Sequence, residues 1–434
     1  MKKLTFKDAF FMAGGTAIGS GVITLCGVGI NYTGLGAGLA YIIAGLLVCF
    51  AVSPLLAMGS FFPRNGGSYT YIRECLSPFW GAIYMVIFVV AKIGLAMFCI
   101  SMAEYLLNGV FGITASRLVL RIVAFVIITL FYVLNLQGQS AAVKMQNIMT
   151  LILLIALVSF AVIGLFRVDF SGQFTSENLF PKGFSGFSSA LCILVFGVIG
   201  GIGVVDYGTN IENPKRNIPR IALILIFGTA VLNGIIATIA ALAAPLTAPA
   251  SHLLFAANAI GGPVYQRIFV LCGAVLALAS TINGNFPWFR TVLSRCVEDK
   301  LLPASVGRPN KNGAPVALYT FLYVVAVVIL LLDMETTLLA NVATGLSLLF
   351  TIIPNIALIF APGKYAEEWN KTKLPKNRVV VTIWALASTA VGGFLVMRSI
   401  LNYTTPTKIV LGCIFLAGII YAAVMNNKLK KAAN

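Results

Sequence analysis

The sequence predicts an all-α membrane protein of twelve spans. Three observations carry that reading: an apolar composition, a regular series of long apolar stretches, and a one-sided distribution of cations. Of 434 residues, 59% are hydrophobic and only 10% are charged. A soluble domain carries about 25% charged residues, so this chain could not cover its own surface in water. Crossing a bilayer core takes about 20 apolar residues per helix. Such stretches lie near 9–31, 36–61, 79–106, 120–137, 147–166, 187–208, 219–244, 264–291, 316–332, 336–361, 379–399 and 406–426. Only Asp333, Met334 and Glu335 separate the ninth from the tenth.

The formal charge of +17 would point a soluble protein toward nucleic acid. Sorted along the spans, it is instead a topology signal, and no nucleic acid partner is implied. With the N-terminus placed inside, 22 of the thirty Lys and Arg fall on the inner side. Seven fall outside (Arg117, Arg121, Arg167, Lys182, Arg267, Arg398 and Lys408), and Lys92 lies within span 3. By the positive-inside rule both termini are cytoplasmic, in a multi-pass protein of the plasma membrane. The N-terminal MKKLTFKDAFFMAGG starts like a signal peptide, but no cleavage site follows and the apolar stretch continues. It reads as the first span, retained.

The eight cysteines read as small buried hydrophobes. There is no C-x-x-C, and His252 is the only histidine, so neither a zinc set nor another cofactor site can be assembled. One histidine and scattered carboxylates also give no paired acid–base set, which argues against an enzyme.

Two spans carry interruptions. Span 1 holds Gly14, Gly15, Gly19 and Gly21 around Thr16, Ala17, Ile18 and Ser20, and span 6 holds Gly197, Gly200, Gly201 and Gly203. Glycine costs about 1 kcal/mol in a helix interior, and helix taken apart in hydrocarbon is tolerated only where it lines a polar cavity. Each cluster alone is better explained by close packing through small residues. Their positions are more informative, because spans 1 and 6 are corresponding members of two five-span halves. A matched pair of Gly-interrupted spans is the pointer to a transporter site between inverted repeats. The half-helix after Ser20 would present amides to a carboxylate, and the freed carbonyls would accept from an ammonium group. A zwitterionic amino acid satisfies both.

The motifs then become recognisable. GTAIGSGV with NYTGLGAG in and after span 1, PRNGGSYTYIRE at 63–74, ENPKRNIPR at 212–220 and EDKLLPASVGRPNKNGAPV at 298–316 together resemble the amino acid–polyamine–organocation (APC) superfamily. The resemblance implies a five-plus-five inverted-repeat fold of LeuT-like type with broken helices 1 and 6. Its repeats would cover about 9–167 and 187–361, with two extra helices at about 379–426, all in one polytopic domain. It also implies transport of amino acids or amines by alternating access. Carried over by motif, the substrate carboxylate falls to the amides of Ser20 and Gly21, and the amine to the carbonyls of Ala17, Phe196 and Ile199. Gly200 lies in the same span 6 segment. In the family an aromatic residue at the position of Phe196 often caps the occupied site, although in a chain with thirty Phe the residues alone favour a core or lipid-facing ring. Two departures matter. The lysine that many members carry in the fifth helix is replaced by Leu153, and the acidic residue of diamine and arginine carriers has no counterpart near Ile202.

Lys92 stands mid-span, where a lysine costs about 2.5–3.5 kcal/mol. It is a candidate to contact an anionic substrate group or to act as a fixed charge. Glu104 is about 18 Å away along the helix, too far to pair, which leaves Asp206 as the candidate partner. Ser280 and Thr281 in span 8 are hydroxyls of the kind sodium-coupled relatives use, although such hydroxyls also bond back to their own backbone. Asn283 and Asn285, with Asn341 and Thr344 in span 10, are candidate cavity residues. The function expected is secondary transport of small L-amino acids by exchange. The alternative is a proton-coupled, or less readily a sodium-coupled, symporter of amino acids or amines. Beyond the substrate and the bilayer no partner is indicated, and nothing in the chain sets an oligomeric state.

Overall fold

The computed structural model describes residues 3–246, 252–334, 336–401 and 403–433. The side chains of Ser20, Asn341 and Thr344 lie outside what it describes. Among the described residues regular structure is helical, apart from isolated bridges joining Leu4 to Ile211 and Pro309 to Pro315. Among the described residues eleven helices are long and apolar enough to cross a membrane, and span 9, Val316–Leu331, is a shorter apolar helix. Spans 1 to 7 are Phe6–Thr33, Gly36–Phe61, Pro78–Val110, Arg117–Leu136, Gln139–Arg167, Gly183–Asn210 and Pro214–Ala243. Span 8 ends as Leu276–Glu298, and spans 10 to 12 fall in Thr336–Lys364, Arg378–Leu401 and Thr405–Ala433.

Local sequence explains several starts. Thr5 and Asp8 form a capping box before span 1, and Ser77 caps span 3 ahead of Pro78, so exposed amides are satisfied where the chain enters the bilayer. The slender boundary between spans 9 and 10 holds because span 4 grips it. Arg117 Nε lies 2.6 Å from Asp333 Oδ1, and Arg121 donates to the carbonyls of Leu330 and Leu331 at 2.7 and 2.8 Å. The guanidinium thus satisfies carbonyls that a helix end leaves open. Two segments read as loops contain helices: Gly67–Cys75 after span 2, and a helix from His252 that breaks at Gly262 (φ 79°) and Pro263 before span 8.

Span 1 packs on span 6, span 2 on span 7, span 3 on span 8, and span 4 on span 9. Lipid offers no hydrophobic drive for such contacts, so they depend on close van der Waals fit. Between spans 2 and 7 a Cβ at Gly45 would lie 2.5 Å from that of Ala230, and one at Gly38 would run into Thr238 Oγ1. At the end of the bundle where Leu4 meets Ile211, helix Gly67–Cys75 is clamped to span 8. Arg73 and Arg295 approach Asp299 at 3.2 and 3.4 Å, Arg295 approaches Glu74 at 3.6 Å, and Tyr69 donates to Asp299 at 3.1 Å.

Candidate functional site

The two glycine clusters behave differently. Span 1 is one continuous helix through GGTAIGSG, which corrects the expectation that it unwinds. The Gly21 amide and the Ala17 carbonyl stand four residues apart, the spacing at which an α-helix pairs them. The groups expected to take a carboxylate and an ammonium are therefore turned toward each other. The physical reason is packing. A Cβ at Gly21 would land on Gly197 Cα, one at Gly200 would lie 2.5 Å from Ala17 Cα, and one at Gly15 would strike Gln146 Nε2. The small residues at these contacts let spans 5 and 6 approach the backbone of span 1.

Span 6 does change its hydrogen bonding. Helix Gly183–Leu194 gives way after Val195 to Phe196–Ile199, then to a 3-10 stretch, Gly200–Gly203, and to Val204–Tyr207. Mid-helix 3-10 stretches commonly mark hinges or strained functional segments. Here the Gly197 carbonyl accepts from Asn233 Nδ2 of span 7 at 3.2 Å. Ala17, Gly21 and Ile199 are buried at the crossing, with Phe196 and Gly200 half-buried. The structure thus gathers the residues singled out in spans 1 and 6, and adds Asn233.

Below this crossing, spans 1, 5 and 8 meet through uncharged groups. Ser280 Oγ and Thr281 Oγ1 donate to the Gly15 carbonyl at 2.9 and 3.3 Å, and each also reaches the Ala277 carbonyl on its own helix. Asn283 donates to Gln146 Oε1 at 2.7 Å and accepts from Asn135 at 3.0 Å, while Thr150 donates to the Phe11 carbonyl at 3.3 Å. Leu153, next along span 5, is fully buried. Asn135, Gln146 and Thr150 were not singled out from the sequence. Gln146 and Thr150 are spaced i, i+4, which puts them on one helix face, and that was the available signal.

Lys92 sits in a 3-10 stretch, Ala91–Ile93, and is 5% exposed. Its Nζ donates to Asn285 Oδ1 at 2.9 Å, and Asn285 in turn donates to the Thr281 carbonyl at 2.8 Å. The ammonium also lies over the rings of Trp288 and Phe88. Asp206 does not pair with it directly. Its Oδ2 accepts from Trp288 Nε1 at 2.7 Å, and its Oδ1 accepts from the Ser68 amide at 2.8 Å. Its backbone carbonyl takes the amide of Gly66, whose φ of 70° suits glycine. One carboxylate therefore joins spans 6 and 8 to helix Gly67–Cys75. A cavity of about 180 Å³ opens at this end of the bundle, lined by Met12, Asn65, Tyr207, Arg290, Ser294 and Tyr319 among others. Among the described residues no cluster of His, Cys, Asp and Glu could hold a metal ion.

Comparison with known proteins follows this geometry. The amino acid permease family model matches residues 4–427. The serine/threonine exchanger SteT of Bacillus subtilis is 26% identical over 319 residues, covering 70% of this chain and 69% of that one. The branched-chain amino acid permease BcaP of Lactococcus lactis is 23% identical over 356 residues, 75% of each chain. The human cystine/glutamate transporter is 26% identical over 230 residues, covering 50% of this chain and 45% of its own.

Proposed function

Since the chain belongs to the amino acid permease family, a family of membrane transporters and not of enzymes, we propose that it exchanges small L-amino acids across the plasma membrane by alternating access, with both termini cytoplasmic. Substrate binding opens the helical ladder between Ala17 and Gly21. The amides of Ser20 and Gly21 then take the carboxylate, and the carbonyls of Ala17, Phe196 and Ile199 take the ammonium group. The two five-span repeats move against each other around that crossing.

The observation that carries exchange is the uncharged junction of spans 1, 5 and 8. In the superfamily a sodium ion or a fifth-helix lysine supplies positive charge there. Here Leu153 replaces the lysine, and the Gly15 carbonyl is satisfied by Ser280 and Thr281. With no lysine charge fixed at the junction, the substrate itself supplies the binding energy that biases each conformational step. SteT, named as an exchanger, supports this reading.

The competing reading, symport, has its own observation. Gly15 O, Ser280 Oγ and Thr281 Oγ1 converge as oxygens a sodium ion could use, and Lys92 with Asp206 offers titratable groups for a proton. Counterflow in proteoliposomes decides between them. Uptake that requires internal amino acid, and that is indifferent to imposed sodium or pH gradients, is the expected result. Uptake into empty vesicles driven by either gradient would establish symport instead, and no flux under any condition would sink the transport proposal.

A further inference from the structure

The surroundings of Lys92 are built like a receptor for an ammonium group. Its Nζ is 3.7 Å from the Trp288 ring centroid and 4.3 Å from that of Phe88. The two rings meet at 80° with centroids 5.4 Å apart, so they form two walls of a corner. Asn285 Oδ1 closes it at 2.9 Å. Behind the indole, Asp206 accepts from Nε1, and its negative charge makes that ring a better partner for a cation. Aromatic walls of this kind are how proteins recognise alkylammonium ligands. Here the cation inside is the protein's own.

The corner adjoins the transport crossing. A Cβ at Gly203 would lie 3.6 Å from the Trp288 ring, while Gly200, one 3-10 turn or about 6 Å earlier, abuts Ala17. On the amino acid reading, a substrate side chain extending from the crossing along span 6 meets Trp288 and the Lys92 ammonium. We propose that Phe88, Trp288, Asn285 and Asp206 form a primary-ammonium site, that Lys92 is its tethered occupant, and that by filling it Lys92 bars substrates whose side chains end in a cation. This rests on the transport proposal and narrows its substrate class.

The test uses n-propylammonium chloride, a stand-in for the lysine side-chain tip, with purified full-length protein in detergent. Binding is read by tryptophan fluorescence, assigned to Trp288 by a Trp288→Phe background, and by thermal midpoint. Lys92→Ala should bind the amine saturably, while wild type and Lys92→Met, which keep the corner filled, should bind at least about tenfold more weakly, as should Lys92→Ala/Trp288→Leu. If Lys92→Ala folds only when the amine is added during purification, that rescue counts for the site. Failure of the amine to rescue it, or equal binding by wild type and a folded Lys92→Ala, would overturn it. In exchange-active proteoliposomes excess L-lysine should inhibit Lys92→Ala and leave wild type unchanged; equal inhibition of both would refute the specificity role. Amine binding in the expected pattern, in a protein that moves no amino acid, would refute transport and leave the site standing.

Discussion

Gly21→Ala adds one methyl group to the crossing of spans 1 and 6, and the structure says where it goes. It lands on Gly197 Cα, with Gly197 N and C at 3.1 and 3.3 Å. Non-bonded carbons prefer about 3.5–4.0 Å. Gly197 has no side chain to turn aside, so the backbones must part by roughly 1–2 Å. Overpacking costs about 1–3 kcal/mol, and a contact between backbones belongs at the upper end. Alanine returns up to about 1 kcal/mol of helix propensity, leaving a net loss near 2 kcal/mol. Gly228→Ala is the control, because a Cβ there meets nothing within 4 Å and only the propensity gain of up to about 1 kcal/mol remains. The same chemical change at two sites should therefore differ by about 3 kcal/mol. Thermal midpoints in detergent measure the stability difference, and counterflow measures the expected loss of exchange in Gly21→Ala. A Gly21→Ala protein that melts at or above Gly228→Ala and exchanges normally would refute the reasoning. Gly29→Ala supplies a further contrast. Its Cβ meets Leu194 Cδ1 and Cδ2 at 2.8 Å, a side chain that can be trimmed, so adding Leu194→Ala should recover part of its loss in a double-mutant cycle.

Asp206→Asn retains one acceptor oxygen for the two donors, Ser68 N and Trp288 Nε1, and turns an amide toward the other. It should cost about 1–3 kcal/mol in thermal stability; a wild-type midpoint would show that the carboxylate is not what joins these elements. Ser280→Ala removes one hydroxyl donor to Gly15 and should lower stability by about 0.5–1.5 kcal/mol without changing any ion dependence of transport. A sodium effect on wild-type KM that disappears in Ser280→Ala would instead identify a coupling ion. Asn283→Leu removes one hydrogen bond each from Gln146 and Asn135 and should destabilise more than Ser280→Ala, with equal midpoints counting against a cooperative junction. A fluorescent reporter fused to the C-terminus should be active and an alkaline phosphatase fused there inactive, the reverse pattern contradicting the cytoplasmic placement.

The helical membrane class and the twelve-helix layout were legible in the sequence, because both follow from how many apolar residues a bilayer demands. The candidate crossing was legible too, since Gly197 and Gly200 are bound to show where span 6 admits a neighbour. What a glycine is used for was not. The same residue type keeps span 1 an unbroken helix by letting Gly197 and Gln146 approach, and lets span 6 tighten to a 3-10 stretch beside Asn233. Lys92 could be marked from the sequence as an expensive charge, but its partners could not be named. Asn285 and Trp288 lie nearly two hundred residues away, and Asp206 reaches it only through the indole ring. Burial in lipid is a property of each segment and is written locally. The satisfaction of a buried polar group depends on which helices meet, and only the tertiary structure decides that.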